Sequence, residues 1–241
     1  MAVFSGTETS DVLVSPLGDS SLIFGFGGDD SIFGLDGADT INGNLGNDTI
    51  DGGDGDDFIL GGQGDDLLIG RGGNDFVSGN IGADQIRGGD NSDTLFGGRG
   101  NDSITGGSGN DLLSGDRGND SLIGVNPTDA SPGTGETDTL TGSSGADIFV
   151  LGDASKSFYD DAGTNAIGVA LITDFNLSED SIQLSLKGSY VAGSPPAGFG
   201  NGTAIYLDKD GVSGISSQDE LIAVVSSTQS LNLNASYIAY V

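Results

Sequence analysis

From Gly25 onward, glycine recurs at every ninth residue: Gly34, Gly43, Gly52, Gly61, Gly70, Gly79, Gly88, Gly97, Gly106, Gly115, Gly124, Gly133 and Gly142 complete fourteen units without a break in phase. In the same frame the sixth residue is Asp in every unit, from Asp30 to Asp147. The fourth is Gly in all but three, where Asn91, Pro127 and Glu136 stand instead. The eighth is apolar in all but one, Ser131. A disordered glycine-rich tract needs no aliphatic residue at a fixed phase, nor an invariant Asp two residues before it. A short strict period marks an ordered repeat instead.

The acid that accompanies this period is almost all Asp. Of 36 acidic residues only Glu8, Glu136, Glu179 and Glu220 are Glu, against seven basic residues, for a formal charge of −29. Asp on glycine-rich segments mounts carboxylates on tight turns. Such charge opposes compaction unless a cation offsets it. It makes nucleic acid and anionic lipid poor partners. Hard oxygen donors select Ca²⁺ or Mg²⁺. The chain has no Cys and no His, which removes disulfides, thiolate or imidazole metal sites and His-dependent nucleophiles. No apolar run reaches the length of a membrane span. Residues 1–11 carry neither the basic segment nor the apolar core of a signal peptide, so the expected alternatives are the cytoplasm or export without an N-terminal signal.

The segments GGDGDDFIL (52–60), GGQGDDLLI (61–69) and GGRGNDSIT (97–105) resemble the RTX, or haemolysin-type, calcium-binding nonapeptide repeat, and residues 25–150 carry the resemblance. It implies an all-β chain, a right-handed parallel β-roll (an RTX β-helix) in which two nonapeptides make one 18-residue coil. The first six residues of each unit would form a turn and the last three a short strand. Asp residues 18 apart then stack in two ladders. One is Asp30, Asp48, Asp66, Asp84, Asp102, Asp120, Asp138; the other is Asp39, Asp57, Asp75, Asp93, Asp111, Asp129, Asp147. With coils about 4.8 Å apart, neighbouring carboxylates repel, and ions between them reverse the sign. Six intervals per ladder predict up to roughly twelve Ca²⁺, enough to offset most of the −29 charge. Turn carbonyls would complete shells of about 6–8 oxygens, which suit Ca²⁺ better than Mg²⁺. A single-file core is too thin to outweigh chain entropy, so folding is expected to require calcium.

The expected domains are an N-terminal cap at 1–24, the roll at 25–150 and a β-rich C-terminal cap at 151–241 that also carries the secretion signal. The weak units GTETSDVLV (6–14) and SPLGDSSLI (15–23) place Asp11 and Ser20 at the Asp position, with Phe24 as an extra residue. Unit 124–132, GVNPTDASP, has two prolines and no inward apolar residue, and is expected to loop out. Strands are expected at 170–175, 181–186, 203–207, 221–225 and 237–241. The segment TDFNLSEDSIQLS (173–185) resembles the stretch found directly C-terminal to RTX arrays. The resemblance implies a secreted, extracellular or cell-surface protein exported by type I secretion machinery. DKDG at 208–211 resembles an EF-hand loop start, with Asp208, Asp210 and Asp219 at positions one, three and twelve, but Gly211 at four and Val212 at five depart from that loop.

A non-enzymatic structural or matrix-type role is the first expectation. Self-association, as in a surface layer or adhesin, or ligand binding is the alternative. Ice binding is disfavoured because no rank of Thr occupies the third repeat position. Phe58, Leu60, Phe76, Phe96 and Leu112 fall on outward positions of one sheet and form the candidate interface.

Overall fold

The computed structural model describes residues 2–16, 18, 20–160, 168–211, 214–215, 219–227 and 229–241. The strands are β1 (Ala2–Ser5), β2 (Val12–Val14), β3 (Ser21–Gly27), β4 (Ser31–Asp36), β5 (Thr40–Leu45), β6 (Thr49–Asp54), β7 (Phe58–Gln63) and β8 (Leu67–Gly72). They continue as β9 (Phe76–Ile81), β10 (Gln85–Asp90), β11 (Thr94–Arg99), β12 (Ser103–Ser108), β13 (Leu112–Arg117), β14 (Ser121–Val125), β15 (Thr137–Thr141) and β16 (Ile148–Val150). The last six are β17 (Val169–Ile172), β18 (Ser181–Leu184), β19 (Tyr190–Gly193), β20 (Thr203–Leu207), β21 (Glu220–Val225) and β22 (Ile238–Tyr240). There is no helix among the described residues, and so none long and apolar enough to cross a membrane.

From β1 to β19 successive strands alternate between two sheets, as half-coils of nine residues require within the array. One sheet runs β1-β3-β5-β7-β9-β11-β13-β15-β17-β21-β20-β19, the other β2-β4-β6-β8-β10-β12-β14-β16-β18-β22. All pairings are parallel except β19–β20 and β20–β21. The chain is therefore an all-β parallel solenoid. Each inward apolar residue sits on its equivalent one coil on: Ile41 on Ile59, Ile59 on Val77, Val77 on Leu95 in one sheet, and Ile32 on Ile50, Ile50 on Leu68, Leu68 on Ile86 in the other. These side chains are fully buried or nearly so. They belong to one cluster that continues through Phe149, Phe175 and Ile182 to Ile238. β19 was not expected from the sequence; it pairs only at the antiparallel edge.

The division of each nonapeptide differs from the expected six-residue turn and three-residue strand. Strands such as β5 and β7 run from the seventh position of one unit to the third of the next. Only positions four to six turn. The glycine-side residues are drawn into the sheet because their backbone groups find ladder partners there, as in Gly62↔Asn80. The fourth-position glycines take left-handed φ, for example +147° at Gly82, a conformation costly for most other residues.

Two register changes also differ from the expectation. β1 lies on β3 and β2 on β4 with a 19-residue offset, Ala2↔Ser21 and Val12↔Ser31. Ser21, not Ser20, therefore stands at the Asp position: its N–H donates to Asp39 Oδ1, and Ile23 points inward. The extra residue precedes Ser21 and is not Phe24. Further on, β13 lies on β15 and β14 on β16 with 27-residue offsets, Leu112↔Thr139 and Ser121↔Ile148. One whole unit leaves the stack as a loop between β14 and β15. Pro127 and Pro132 cannot donate to a ladder and favour this loop.

Candidate metal centre

Apart from Asp129 and Asp138, which lie in a loop and within β15, each sixth-position Asp closes a three-residue turn. Thirteen of the fourteen are at most 3% exposed. The exception is Asp129. It lies exposed in the looped-out unit, where Asn126 Nδ2 donates to its carboxylate (3.1 Å) and Lys156 Nζ to its carbonyl. The expected second ladder is corrected here. Losing one nonapeptide is losing half a coil, so the units beyond the loop exchange flanks. Asp111 is succeeded by Asp138, and Asp120 by Asp147. The observed ladders are Asp39, Asp57, Asp75, Asp93, Asp111, Asp138 and Asp30, Asp48, Asp66, Asp84, Asp102, Asp120, Asp147.

Within a ladder every rung is alike. The backbone N–H of one Asp donates to Oδ1 of the Asp on the next coil: Asp30 to Asp48 at 2.8 Å, Asp66 to Asp84 at 2.9 Å, Asp84 to Asp102 at 2.8 Å. The other oxygen has no donor. Oδ2 of Asp30, Asp39, Asp48, Asp57, Asp66, Asp75, Asp84, Asp93, Asp102, Asp111 and Asp120 is buried without a hydrogen-bond partner. Each lies over the Cα of its unit's first glycine. A Cβ on Gly79 would stand 2.6 Å from Asp84 Cγ and 2.7 Å from the Gly97 carbonyl oxygen of the next coil. The first-position glycines Gly25 to Gly124 are therefore fixed by space, since none of them has positive φ. A carboxylate oxygen and a carbonyl oxygen converge where a side chain would otherwise be. Two acceptors facing one another without a donor are matched by a proton or a cation.

Electrostatics agree. Burial, the largest cause, pushes the carboxyls up to about 7 at Asp57, Asp66, Asp84, Asp93 and Asp120, and to about 8 at Asp111. Backbone donors pull the other way, and neighbouring carboxylates add a smaller push. Desolvation thus exceeds the rung-to-rung repulsion that spacing alone suggested.

The ladders end differently from their interiors. At Asp138 the buried Tyr159 hydroxyl donates to Oδ2 at 2.6 Å, standing where the interior rungs have no donor. At the opposite end Asp11, whose N–H donates to Asp30 Oδ1, has its own Oδ2 met by Thr7 N at 2.6 Å. Past the array, Asp147 N donates to Asp180 Oδ1 (3.1 Å), and Asn176 N to Asp180 Oδ2 (2.8 Å). Tyr159 and Asp180 lie outside the nine-residue frame, so periodicity could not find them. Fifth-position side chains form an outer ladder with the opposite sense, as in Asn47 N to Asp29 Oδ1 and Asp65 N to Asn47 Oδ1. Its pattern of Asp, Asn and Ser was a missed signal.

Two other expected groups are brought together. Asp208, Asp210 and Asp219 bring carboxylate oxygens within 4.8 Å of one another; Val212 lies outside the described residues. Phe58 and Phe76 stack at 4.8 Å and 6°, and Phe96 lies at 5.4 Å from Phe76. Leu60 and Leu112 share this face, with Phe58 and Leu112 exposed.

The RTX calcium-binding nonapeptide repeat, described in four copies, matches residues 24–59, 51–86, 60–95, 87–122 and 132–154. No curated protein matches the chain. Among solved structures it is similar to the AlgE6R3 subunit of the Azotobacter vinelandii mannuronan C5-epimerase, at 33% identity over 57% of this chain and 71% of that one, with a TM-score of 0.37.

Proposed function

The chain belongs to the RTX calcium-binding nonapeptide-repeat family, and from that premise we propose that its Asp ladders are the calcium sites and that calcium folds the roll. The observation that carries this reading is the set of eleven buried Oδ2 atoms without a donor. Asp30, Asp48, Asp66, Asp84, Asp102 and Asp120 would hold ions on one flank, and Asp39, Asp57, Asp75, Asp93 and Asp111 on the other, each with the facing glycine carbonyls. Bound there, calcium supplies positive charge to carboxylates that burial otherwise drives towards protonation. The ion count falls from roughly twelve to about eleven on this geometry. Asp129 is no longer among the ligands, and Asp138 is met by Tyr159.

Coupled binding and folding then sets the biology. At low cytoplasmic calcium the chain stays unfolded and fits a type I export channel. Outside the cell, calcium modules bind at about 10⁻⁴–10⁻³ M, and the roll forms. A non-enzymatic structural role is the result, with residues 1–24 and 151–241 as caps. Circular dichroism during a calcium titration tests the folding step: β signal should appear with calcium and vanish with chelator. An unchanged spectrum refutes it. Export is tested by co-expression with a type I transporter, where calcium-free medium should yield secreted but unfolded chain.

A further inference from the structure

The exposed apolar side chains of the array are not scattered. Between Gly25 and Val125 the large ones are Phe26, Leu45, Phe58, Ile81 and Leu112. All five stand on β3, β5, β7, β9 and β13, strands of one sheet, and none on the facing strands β4, β6, β8, β10, β12 and β14. Parallel register draws them into rows. Phe58, Phe76, Thr94 and Leu112 are successive partners at one end of the strands, with Phe58 and Phe76 stacked at 4.8 Å. Leu45, Gln63, Ile81, Arg99 and Arg117 are successive partners at the other end. Charge divides the sheets the same way. The charged residues of β3, β5, β7, β9, β11 and β13 are Arg99, Arg117 and Asp116, so acid does not outnumber base there. The facing sheet presents Asp36, Asp51, Asp54 and Asp90 against Arg71 and Arg87.

We infer that two copies of the folded chain pair through this sheet, apolar face on apolar face. Copies of formal charge −29 repel wherever acid meets acid. This pairing sets nearly acid-free surfaces together and leaves the acidic sheet of each copy in water. A basic partner would find its carboxylates on the facing sheet, and an acidic one would meet Asp116 and the charge of the whole chain. A second copy needs neither sign. It also offers a surface of the same extent and the same spacing of about 4.8 Å, so the side chains of the two sheets interdigitate. The strands β3, β5, β7, β9, β11 and β13, each about six residues at about 3.3 Å, span roughly 550 Å². Two such faces bury roughly 1,100 Å², just above the roughly 1,000 Å² that a specific interface needs. The pairing is therefore reversible, with a dissociation constant on the order of micromolar.

The rows exist only where coils are stacked, so the inference rests on the calcium reading. Sedimentation velocity of the full chain is run over a concentration series in calcium and in chelator. In calcium the sedimentation coefficient should rise with concentration from monomer to dimer; in chelator it should stay that of a monomer. The test variant is Leu45→Asp with Ile81→Asp. The third repeat position already holds Asp36, Asp54 and Asp90 in other units, so the variant folds and its calcium-induced circular dichroism should match the wild type. Its dimer dissociation constant should rise at least about tenfold, because like charges are set against one another. Should its spectrum differ, Gln63→Asp, at the exposed position between them, is read in its place. Gln85→Glu with Ser108→Asp adds the same two charges to the facing sheet and should leave pairing unchanged. A folded wild-type chain that stays monomeric at every concentration overturns the inference. So does a dimer that survives Leu45→Asp with Ile81→Asp, or one weakened equally by both variants, or association that persists in chelator. Failure of the calcium reading appears separately, as a chain whose spectrum does not respond to calcium.

Discussion

Replacing Asp84 by Asn should stabilise the roll without calcium and destabilise it with calcium. Asp84 sits mid-ladder. Its Oδ1 accepts Asp66 N–H at 2.9 Å, and its Oδ2 has no partner while converging with the Gly97 carbonyl on Gly79. The amide keeps the Oδ1 acceptor and puts an N–H₂ donor where the orphaned oxygen was. Without calcium the variant therefore gains a buried hydrogen bond worth about 1 kcal/mol and loses a carboxyl that burial pushes up to about 7. With calcium it loses an anionic ligand. A site filled at one hundred times its Kd contributes about 2.7 kcal/mol, and that contribution is removed. Two measurements read the signs. In chelator, the concentration of a folding osmolyte needed to reach half of the β signal should fall. In calcium, the thermal midpoint should fall. Destabilisation under both conditions would refute the reasoning, because Asp84 would then be a packing or capping residue whose charge is irrelevant.

Burial raises every ladder carboxyl, and from Asp57 to Asp147 along the two ladders the folded-state values are about 6 to 8, above the roughly 3.9 of an unfolded Asp. The apo roll therefore takes up protons on folding, so its stability falls as pH rises through that window and is greatest below it. Circular dichroism in chelator should show more β structure at pH 5 than at pH 8, and equal spectra would contradict this. Protons compete with calcium for the same oxygens, so the calcium midpoint measured by the same signal should rise on acidification. Tyr159→Phe leaves Asp138 Oδ2 without its 2.6 Å donor and should cost about 1–3 kcal/mol. Combined with Asp138→Asn the losses should fall short of additive in a thermal double-mutant cycle. Gly79→Ala should raise the calcium midpoint although Gly79 has ordinary φ, because its Cβ enters the space shared by Asp84 and the Gly97 carbonyl; an unaltered titration would show that this space is not used.

What the sequence made legible was whatever repeats. The inward column derives from period nine, and the two-sheet stack from the family resemblance that the period carries. The aromatic row was visible because Phe58 and Phe76 are 18 residues apart. Tyr159 and Asp180 reach the ladders from segments with no period, so only their placement in space reveals them. Desolvation likewise is a property of enclosure, and spacing could supply only the repulsion.

The subtler failure concerns parity. The frame stays in phase through 124–132, and that continuity suggested a continuous ladder. Phase modulo nine is preserved by losing one unit, but a coil is eighteen residues, so the flanks exchange and Asp120 meets Asp147 instead of Asp138. Nothing in the composition of the later units could report this, because units on either flank obey one pattern. The exchange is tolerated for that same reason: every unit carries its own first-position Gly and sixth-position Asp, so either flank accepts it. An insertion that is not a multiple of nine has no such option. The single extra residue falls between β2 and Ser21, in the first described coil and outside the ladder rungs that begin at Asp30 and Asp39. Placed between Asp66 and Asp84, one extra residue would turn the inward Asp towards solvent and separate its Oδ1 from the Asp66 N–H. Within the nine-residue array the interruption is therefore one whole unit, and the offsets that are not multiples of nine, as in Thr137↔Val169 and Ile148↔Ser181, come only where strands beyond the array join the stack.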